Sequence, residues 1–264
     1  MKIHPTAIVD PKARLGEEVE IGAFVCIGGE VEIGARTVVE SHGVIEGAVR
    51  LGADNQIGPG AIIGGLPQDL SFKIGTRSSV EIGDGNVLRE HVTIHRGTAE
   101  GSATRVGDNN FLMAGAHLGH NCEIGDKVII ANNCLLGGYV TVDDGAFLGG
   151  GCVFHQFVRV GRLVITQGVS GFGKDIPSYV AAAGINRVVG LNVVGLRRAG
   201  FDPADRAEIK AAFRLLYESG LNVGQALARA REKNWREPAQ AFFDFVAAAK
   251  RRGICALRRG RGTD

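Results

Sequence analysis

An aliphatic residue recurs at every sixth position through the first part of the chain. Starting at Ile3, the six-residue step meets an aliphatic side chain at eleven consecutive positions, ending at Ile63. The register resumes at Ile82 and, after a second break, runs from Val106 to Val160. A helix has a period near 3.6 residues and a half-buried strand alternates every two, so neither explains this pattern. A short fixed repeat instead predicts stacked, nearly identical units.

A period of six predicts a mainly β protein in which three repeats close one triangular coil of a parallel β-helix. Residues 18 apart would then stack at the strand spacing of about 4.8 Å, with the aliphatic residues filling the interior. The position four residues after each aliphatic residue is usually small or β-branched, and Cys122, Cys134 and Cys152 occupy it. We therefore interpret these cysteines as small buried hydrophobes rather than nucleophiles or metal ligands.

Two breaks in the register predict loop insertions, near residues 65–81 and 97–105. Charge divides the chain more coarsely: residues 1–186 carry 14 Lys/Arg and 20 Asp/Glu, a net −6, whereas residues 187–264 carry 16 and 8, a net +8. Glycine makes the same division, because 32 of the 40 glycines precede residue 187. We predict a β-helix domain over residues 1–188 and a helical C-terminal domain over residues 189–264.

Helix signals support this division. Asp202 and Pro203 are typical of an N-cap and a first helical residue, and an apolar stripe follows them until Gly220. Asn222, with a glutamine three residues later, predicts a second helix. A third helix is expected over residues 237–252. The chain ends in a basic tail with Arg258, Arg259 and Arg261, whose charge suits an acidic partner or a phosphate ligand as well as it suits a plain solvated surface.

Composition excludes several classes of protein. Forty glycines accompany only seven prolines in 264 residues, and 45% of the residues are hydrophobic, which excludes collagen and disorder. No apolar run reaches the length of about 18 residues that a membrane span needs, and the N-terminus lacks the pattern of a signal peptide. We expect a soluble, cytoplasmic protein with reduced thiols, no stable membrane insertion and no nucleic-acid partner.

Two histidines carry the chemical interest of the sequence. His117 and His120 lie three residues apart around the inward Leu118, so both are predicted at outward or corner positions that meet solvent and substrate. Adding 18 to position 120 reaches Gly138, and adding 18 again reaches Gln156. An imidazole, a backbone N–H and an amide would then share one edge. An imidazole can accept a proton from an attacking hydroxyl or amine, and a backbone N–H can stabilise an oxyanion, so the stack suits acyl transfer. Surface histidines without a role are the alternative.

Several motifs, in order along almost the entire chain, resemble the UDP-N-acetylglucosamine O-acyltransferase family, whose members catalyse the first step of lipid A synthesis. The motifs that carry this resemblance are Gln68-Asp69-Leu70, Thr93–Thr98, His117–Cys122, Ala131-Asn132-Asn133, His155-Gln156-Phe157 and Gly195–Phe201. The resemblance implies a left-handed parallel β-helix with a small helical C-terminal domain, assembled as a homotrimer. It also implies UDP-N-acetylglucosamine as acceptor, a 3-hydroxyacyl chain on acyl carrier protein as donor, and no further cofactor or metal.

Roles for individual residues follow from the same resemblance. His120 would be the general base, and Gly138 would supply the oxyanion N–H. Gly168 would lie along the acyl chain and limit its length. The remaining residues implied to bind substrate are Gln68, Asp69, Lys73, His117, His155 and Gln156 near the nucleotide sugar, with Asn192 and Arg198 near donor or nucleotide phosphates.

Three positions depart from the commonest form of the family. Asn121 stands where an aspartate often follows the catalytic histidine, Ser71 stands where a lysine usually follows the loop aspartate, and Tyr139 replaces a histidine beside the oxyanion glycine. We expect Lys73, two residues further on, to substitute for the missing lysine in contacting a phosphate. Because an amide supplies no negative charge, a 3-amino analogue of the sugar, which needs less help from a base, stays open as the acceptor.

Two other classes compete with acyl transfer. A trimeric β-helical carbonic anhydrase would hold zinc with three histidines, which invites a comparison with His117, His120 and His155. Their spacing does not match that site, and three ligands would have to lie about 2.0–2.1 Å from one metal. A non-catalytic repeat scaffold explains the six-residue period but none of the motifs.

Overall fold

The computed structural model describes residues 1–249 and 252–258. Most of the chain forms very short strands separated by tight turns, as the repeat predicts. In chain order the strands of the repeat region are β1 (Lys2–Ile3), β2 (Ile8–Val9), β3 (Arg14–Leu15), β4 (Glu20–Ile21), β5 (Cys26–Ile27), β6 (Val31–Ile33), β7 (Val38–Val39), β8 (Val44–Ile45), β9 (Ala48–Leu51), β10 (Gln56–Ile57), β11 (Ile62–Gly65), β12 (Ser79–Ile82), β13 (Val87–Leu88), β14 (Thr93–His95), β15 (Ala103–Val106), β16 (Phe111–Leu112), β17 (His117–Leu118), β18 (Glu123–Ile124), β19 (Ile129–Ile130), β20 (Leu135–Leu136), β21 (Thr141–Val142), β22 (Phe147–Leu148), β23 (Val153–Phe154), β24 (Arg159–Val160), β25 (Ile165–Thr166), β26 (Gly171–Phe172), β27 (Val180–Ala183) and β28 (Arg187–Leu191).

Every third strand joins the same parallel sheet, so three sheets form the three sides of a β-helix. One sheet runs from β1 through β4 and β7 upward, the second from β2 to β26, and the third from β3 to β24. Strands 18 residues apart pair in register, as His117 with Leu135 and Leu135 with Val153. The β-helix prediction is confirmed.

The side chains inside the β-helix are almost completely buried. Ile45, Ile57 and Leu118 have no exposed surface, and neither do Cys122 and Cys134 at the second inward position. Removing this much apolar surface from water is the main stabilising contribution to such a fold. Burial raises the pKa of the Cys122 thiol to about 12, so this side chain is a neutral core residue, as expected.

Glycines after the aliphatic positions allow successive coils to approach closely. A Cβ at Gly34 would lie 2.4 Å from the carbonyl carbon of Gly52 in the next coil, which is less than any real contact. The left-handed backbone positions of the turns are instead often filled by larger residues, such as Arg36 and Asn121, with φ of 57° and 59°. Glycine is therefore required here mainly by stacking rather than by backbone dihedral angles.

Both predicted insertions leave the coil at the same corner, between the second and third sheets. Strand pairing resumes earlier than the register suggested, because residues 79–82 already pair with residues 103–106. The non-repetitive segments are therefore residues 66–78, called the first loop below, and residues 96–102, called the second loop. The two loops are joined by hydrogen bonds, including one of 2.8 Å from Gly101 N–H to the Arg77 carbonyl.

Four helices follow the repeats: α1 (Val193–Arg198), α2 (Pro203–Tyr217), α3 (Val223–Ala230) and α4 (Glu237–Ala247). Asp202 caps α2, and Asn222 closes a capping box with Gln225, as predicted. The sequence did not indicate α1. The prediction that the third helix reaches residue 252 is wrong, because α4 ends at Ala247 and the chain turns back toward the sheet.

The C-terminal part is joined to the β-helix by strands as well as by side chains. β28 runs antiparallel to β27, and β29 (Ala256–Leu257) pairs with β28, so position 188 falls inside a strand. The Arg159 Nε atom lies 2.8 Å from Asp175 Oδ2, and the same guanidinium donates to the Phe245 carbonyl in α4.

Within the described residues, no helix has the length and apolarity to cross a bilayer. Arg259 and Arg261 of the basic tail lie outside the described residues.

Candidate active site

Positions 120, 138 and 156 lie in successive coils at one corner of the β-helix, as the spacing predicts. Tyr139 N–H donates to the His120 carbonyl at 2.9 Å, and Phe157 N–H donates to the Gly138 carbonyl at 3.0 Å. The imidazole of His120, the backbone of Gly138 and the amide of Gln156 therefore follow one another along a single edge. The first and second loops leave the coil at this same edge.

His120 is much more buried than its corner position suggested. Only 4% of its surface is exposed, which corrects the prediction that it meets solvent freely. The Tyr139 ring meets the imidazole edge to face, with centroids 5.2 Å apart, and Tyr139 in turn stacks on Phe157 at 4.7 Å. On the opposite side, Asp69 of the first loop brings its Oδ2 atom 3.9 Å from His120 Nε2. The loop and the aromatic rings together shield the imidazole from water.

The neighbour of His120 fixes its tautomer. Asn121 Oδ1 accepts hydrogen bonds from the N–H and the hydroxyl of Thr98, both at 3.0 Å, which identifies this atom as the amide oxygen. His120 Nδ1 lies 3.1 Å from the same oxygen. An oxygen with no proton can only accept, so Nδ1 carries the hydrogen of the neutral ring. Nε2 is then the atom with the free lone pair, and it lies 3.9 Å from Asp69 Oδ2 and next to Gly138.

Asp69 supplies the negative charge that Asn121 lacks. Its Oδ1 atom accepts from the Ser71 hydroxyl at 2.7 Å and from the Ser71 N–H at 2.8 Å. These two bonds, together with the nearby His120, hold the pKa of Asp69 below its usual value. Ser71, one of the departures from the family pattern, therefore orients the carboxylate. An ionised carboxylate beside Nε2 favours the imidazolium that forms on proton transfer.

Two features of Gly138 matter for the site: its backbone N–H and the fact that glycine has no Cβ. Among the described residues, no carbonyl or side chain accepts a hydrogen bond from its N–H, although the residue is buried. A Cβ at this position would lie 2.3 Å from His120 Cε1 and 2.4 Å from Nε2. Glycine is thus required for the imidazole to stand where it does, and the N–H is available to a ligand.

His117 lies in β17, three residues before His120, and is held in a neutral form. Its Nδ1 atom is 2.7 Å from the Thr93 hydroxyl, and its ring meets His95 edge on, with centroids 5.2 Å apart. Burial, and secondarily the neighbouring His95, lowers the pKa of His117 to about 4. An imidazole that stays neutral at pH 7 serves as a hydrogen-bonding group rather than as a cation.

The remaining predicted residues divide into exposed groups near the edge and groups at the far end of the chain. Gln68 and Lys73 lie exposed on the first loop, His155 and Gln156 lie exposed one coil beyond Gly138, and Gly168 is exposed with its Cα near the Gly150 carbonyl. Asn192 caps α1: its Oδ1 accepts from Gly195 N–H at 2.9 Å, and its amide donates to the Leu163 carbonyl at 2.8 Å. Arg198 ends α1 exposed, and within the described part of the chain no hydrogen bond links Asn192 or Arg198 to the His120 group.

Sequence reasoning missed the residues that orient the general base. Thr98, from the second loop, holds Asn121, and Tyr139 completes the chain of hydroxyls through a 3.0 Å contact with the Thr98 hydroxyl. Thr93 orients His117 through the hydrogen bond between its hydroxyl group and His117 Nδ1. Both threonines belong to the motif Thr93–Thr98, which was the available signal, but the repeat register does not place a loop residue beside His120.

Among the residues that the structure describes, the His120 edge has no covalent nucleophile and no metal cluster. Cys122, the nearest cysteine in sequence, points into the core, and its thiol donates to the Gly137 carbonyl. Among the described residues, no group of three His, Cys, Asp or Glu side chains is arranged to hold a metal ion. The arrangement contains a base, a free N–H and a carboxylate, which are the parts that direct attack on a carbonyl requires.

The coils and their edge site define a transferase of the hexapeptide-repeat class. Residues 103–138 match the family model described as bacterial transferase hexapeptide (six repeats). Residues 175–255 match the model described as Udp N-acetylglucosamine O-acyltransferase, domain 2. The first match covers the coils around His120, and the second covers most of the helical part.

The chain belongs to the UDP-N-acetylglucosamine O-acyltransferase family. Relatives named acyl-[acyl-carrier-protein]–UDP-N-acetylglucosamine O-acyltransferase include one from Paraburkholderia xenovorans, 45% identical over 95% of this chain and 98% of its own length, and one from Halorhodospira halophila, 44% identical with the same coverage. A UDP-N-acetylglucosamine acyltransferase structure from Bacteroides fragilis matches with a TM-score of 0.89 and 40% identity over 96% of this chain and 99% of that one. The Campylobacter jejuni structure matches with 0.91 and 34% over 97% and 100%.

Proposed function

We propose that this protein transfers a 3-hydroxyacyl group from the thioester of acyl carrier protein to the 3-hydroxyl of UDP-N-acetylglucosamine, the first step of lipid A synthesis. The observation that carries the proposal is the pairing of His120 with Gly138: a buried imidazole whose Nε2 lone pair is free stands beside a buried N–H that has no acceptor among the described residues. Family membership indicates the substrates, and the geometry of His120 and Gly138 indicates how the acyl group is transferred.

The reaction follows from these two groups. His120 Nε2 takes the proton of the sugar hydroxyl as its oxygen attacks the thioester carbonyl, and Gly138 N–H donates to the oxyanion of the tetrahedral intermediate. Collapse of the intermediate breaks the C–S bond, and the departing thiolate takes the proton back from the imidazolium. The products are an ester of the sugar and the free thiol of the carrier protein, and the enzyme is unchanged. No acyl-enzyme is needed.

Asp69 and Asn121 divide the work that one aspartate often performs beside a catalytic histidine. Asn121 holds Nδ1–H and so fixes the tautomer, while the Asp69 carboxylate, 3.9 Å from Nε2, stabilises the charge that the ring gains. The relatives' names specify O-acylation. The Asp69 carboxylate supplies the negative charge that Asn121 cannot provide to His120. The hydroxyl acceptor is therefore favoured over the 3-amino analogue.

The other predicted residues complete the substrate site. Gln68, Lys73, His117, His155 and Gln156 would contact the nucleotide sugar, since all of them lie on the edge or loop that surrounds His120. Gly168 would border the acyl chain, and a Cβ there would lie 3.0 Å from the Gly150 carbonyl oxygen. Asn192 caps α1 and would act by positioning that helix, whereas the exposed Arg198 would meet a phosphate.

We further propose a cytoplasmic homotrimer. Apolar side chains project outward from four strands of the second sheet, β2, β11, β20 and β23; they are Ile8, Ile62, Leu135 and Val153, each 40% or more exposed. Several exposed apolar side chains on one sheet face are typical of a protein interface. The basic C-terminal part, with a net charge of +8 over residues 187–264, would suit the acidic carrier protein.

Product analysis tests the proposal. Purified protein is incubated with 3-hydroxyacyl carrier protein and UDP-N-acetylglucosamine, and in parallel with the 3-amino analogue of the sugar. We expect an acylated sugar nucleotide from the hydroxyl acceptor whose acyl group is released by mild alkali, as an ester is and an amide is not. Absence of product from both acceptors would refute the proposal, and product from the amino sugar alone would assign N-acylation instead.

A further inference from the structure

The first loop brings Asp69 to the general base, yet its tip packs little against the β-helix. Leu70 and Ile74 project from the loop and are almost completely exposed. The side chain and the carbonyl of Asp69 accept hydrogen bonds within the loop, from Ser71 and Phe72. Local bonds of this kind shape a turn but do not fix where the turn stands. The position of the carboxylate therefore depends on how the loop is held where it leaves the coil.

A histidine of the β-helix holds the loop at that point. His95 Nδ1 lies 2.5 Å from the Leu66 carbonyl oxygen, and because a carbonyl can only accept, the imidazole donates. Among the described residues, this is the only hydrogen bond that joins residues 66–76 to the rest of the chain. The Leu66 side chain is 49% exposed, so its carbonyl, rather than its side chain, anchors the loop. A looser contact places the Phe72 ring 5.7 Å from Arg96 Cζ.

The anchored peptide unit is rigid and lies three residues before Asp69. The Leu66 carbonyl belongs to the peptide bond with Pro67, which is buried. A proline ring fixes its own φ at about −65° and restricts the preceding residue to extended backbone. Holding this one carbonyl therefore fixes the direction in which the chain leaves the coil, and with it the start of the turn that carries Asp69.

His95 is itself held by the body of the β-helix. Its backbone carbonyl accepts a hydrogen bond of 2.6 Å from the hydroxyl of Thr104, which has no exposed surface, and the same hydroxyl accepts from Asn121 N–H at 2.8 Å. The His95 ring meets His117 edge on, with centroids 5.2 Å apart. Thr104 thus joins the residue that anchors the first loop to the residue that fixes the tautomer of His120.

We propose that His95 is a positioning residue for acyl transfer: its imidazole holds the Leu66 carbonyl so that the Asp69 carboxylate stands beside the general base. The inference rests on the proposed function, and in it His95 acts through Asp69 rather than on the substrate. A merely structural role needs a ring that packs against His117, whereas this role needs a donor at the Nδ1 position. Asparagine separates the two, because its amide nitrogen is bonded to Cγ as Nδ1 is, and it has no ring.

Steady-state kinetics of two variants and a control tests the need for the donor. His95→Ala removes the donor and should lower kcat about tenfold, because a small misplacement of a group that acts in the transition state costs rate. His95→Asn keeps a donor on Cγ and should stay within about threefold of the wild-type kcat. The matched control is His91→Ala, which removes an exposed histidine from the same coil, four residues earlier, and should leave kcat unchanged.

A double-mutant cycle shows whether His95 acts through Asp69. In the Asp69→Asn background, we expect His95→Ala to change kcat by less than about twofold, because residues that act as a unit are not additive. The same tenfold loss in both backgrounds would overturn the proposal. So would a wild-type kcat in His95→Ala, or an equal loss in His95→Ala and His95→Asn.

Hydrogen exchange measured by mass spectrometry tests the anchor without turnover. The N–H groups of Ser71 and Phe72 report on the loop, since both bond to Asp69. We expect faster exchange over residues 66–78 in His95→Ala, exchange close to wild type in His95→Asn, and no change in the neighbouring coils. Wild-type exchange of the loop in His95→Ala, or faster exchange throughout the coils, would contradict the proposal.

The two measurements separate this inference from the proposed function. If the wild-type protein formed no acylated sugar nucleotide, the proposed function would fail, and hydrogen exchange would still decide whether His95 holds the first loop. If the wild-type protein turned over and loop exchange in His95→Ala were unchanged, acyl transfer would stand and the role of His95 would be wrong.

Discussion

Replacing Gly138 by alanine should disable the site while leaving the fold almost intact. The added Cβ would lie 2.3 Å from His120 Cε1 and 2.4 Å from Nε2, whereas carbon atoms in contact are about 3.5–4.0 Å apart. The imidazole must therefore move by about 1 Å or more, which breaks its alignment with Asn121 Oδ1. A misplacement of that size can cost about a hundredfold in rate. The ring can turn away from the new methyl group, so we expect overpacking to cost about 1–3 kcal/mol of stability.

Steady-state kinetics with the carrier-protein thioester measures the effect, and thermal unfolding measures the stability. Gly28→Ala is the matched control, because a Cβ at Gly28 would meet its nearest atom at 3.5 Å, an ordinary contact. We expect a hundredfold loss of kcat in Gly138→Ala and near wild-type activity in Gly28→Ala. If Gly138→Ala turned over normally with its histidine displaced, the role assigned to this glycine would be wrong.

Three further predictions follow from the same geometry. Asp69→Asn removes the charge 3.9 Å from His120 Nε2 and should lower kcat about tenfold to a hundredfold; an unchanged kcat would exclude this carboxylate from the reaction. His117, whose pKa is lowered to about 4, stays neutral in the folded protein, whereas the same residue in the unfolded chain takes up a proton below about pH 6.5. The free energy of unfolding should therefore fall as the pH drops below about 6.5, and it should fall less steeply in His117→Gln. Parallel curves for the two proteins would contradict the lowered pKa of His117. The Cys122 thiol, with its pKa raised to about 12, should resist a thiol reagent at pH 8 in the native protein and react in urea; rapid native labelling would contradict its burial.

The repeat made the coils predictable because its period acts on every strand at once. A residue such as Leu118 has the same environment as the residue 18 positions away, so one register places all inward positions together. The stacking of positions 120, 138 and 156 followed from the same arithmetic. Helix α2 was equally predictable, since Asp202 and Pro203 carry a local capping signal that needs no tertiary information.

Contacts made across the loops could not be predicted in this way. The burial of His120 depends on Asp69 and Tyr139 covering it, and neither distance follows from the register. Thr98 reaches Asn121 only because the second loop folds back over the corner. The end of α4 was misjudged for a related reason: the chain after Ala247 follows the pairing of β29 with β28, a long-range contact that helix propensity does not contain.

The role of His120 is the central claim, and single-turnover analysis of His120→Ala tests it most directly. Mass spectrometry follows the acylated sugar nucleotide formed from one equivalent of 3-hydroxyacyl carrier protein, and thermal unfolding confirms that the variant is folded. We predict a rate at least about a hundredfold below that of the wild-type protein, the usual contribution of a general base, with an unchanged melting temperature. Product formation by the folded variant at the wild-type rate would contradict general-base catalysis by this histidine.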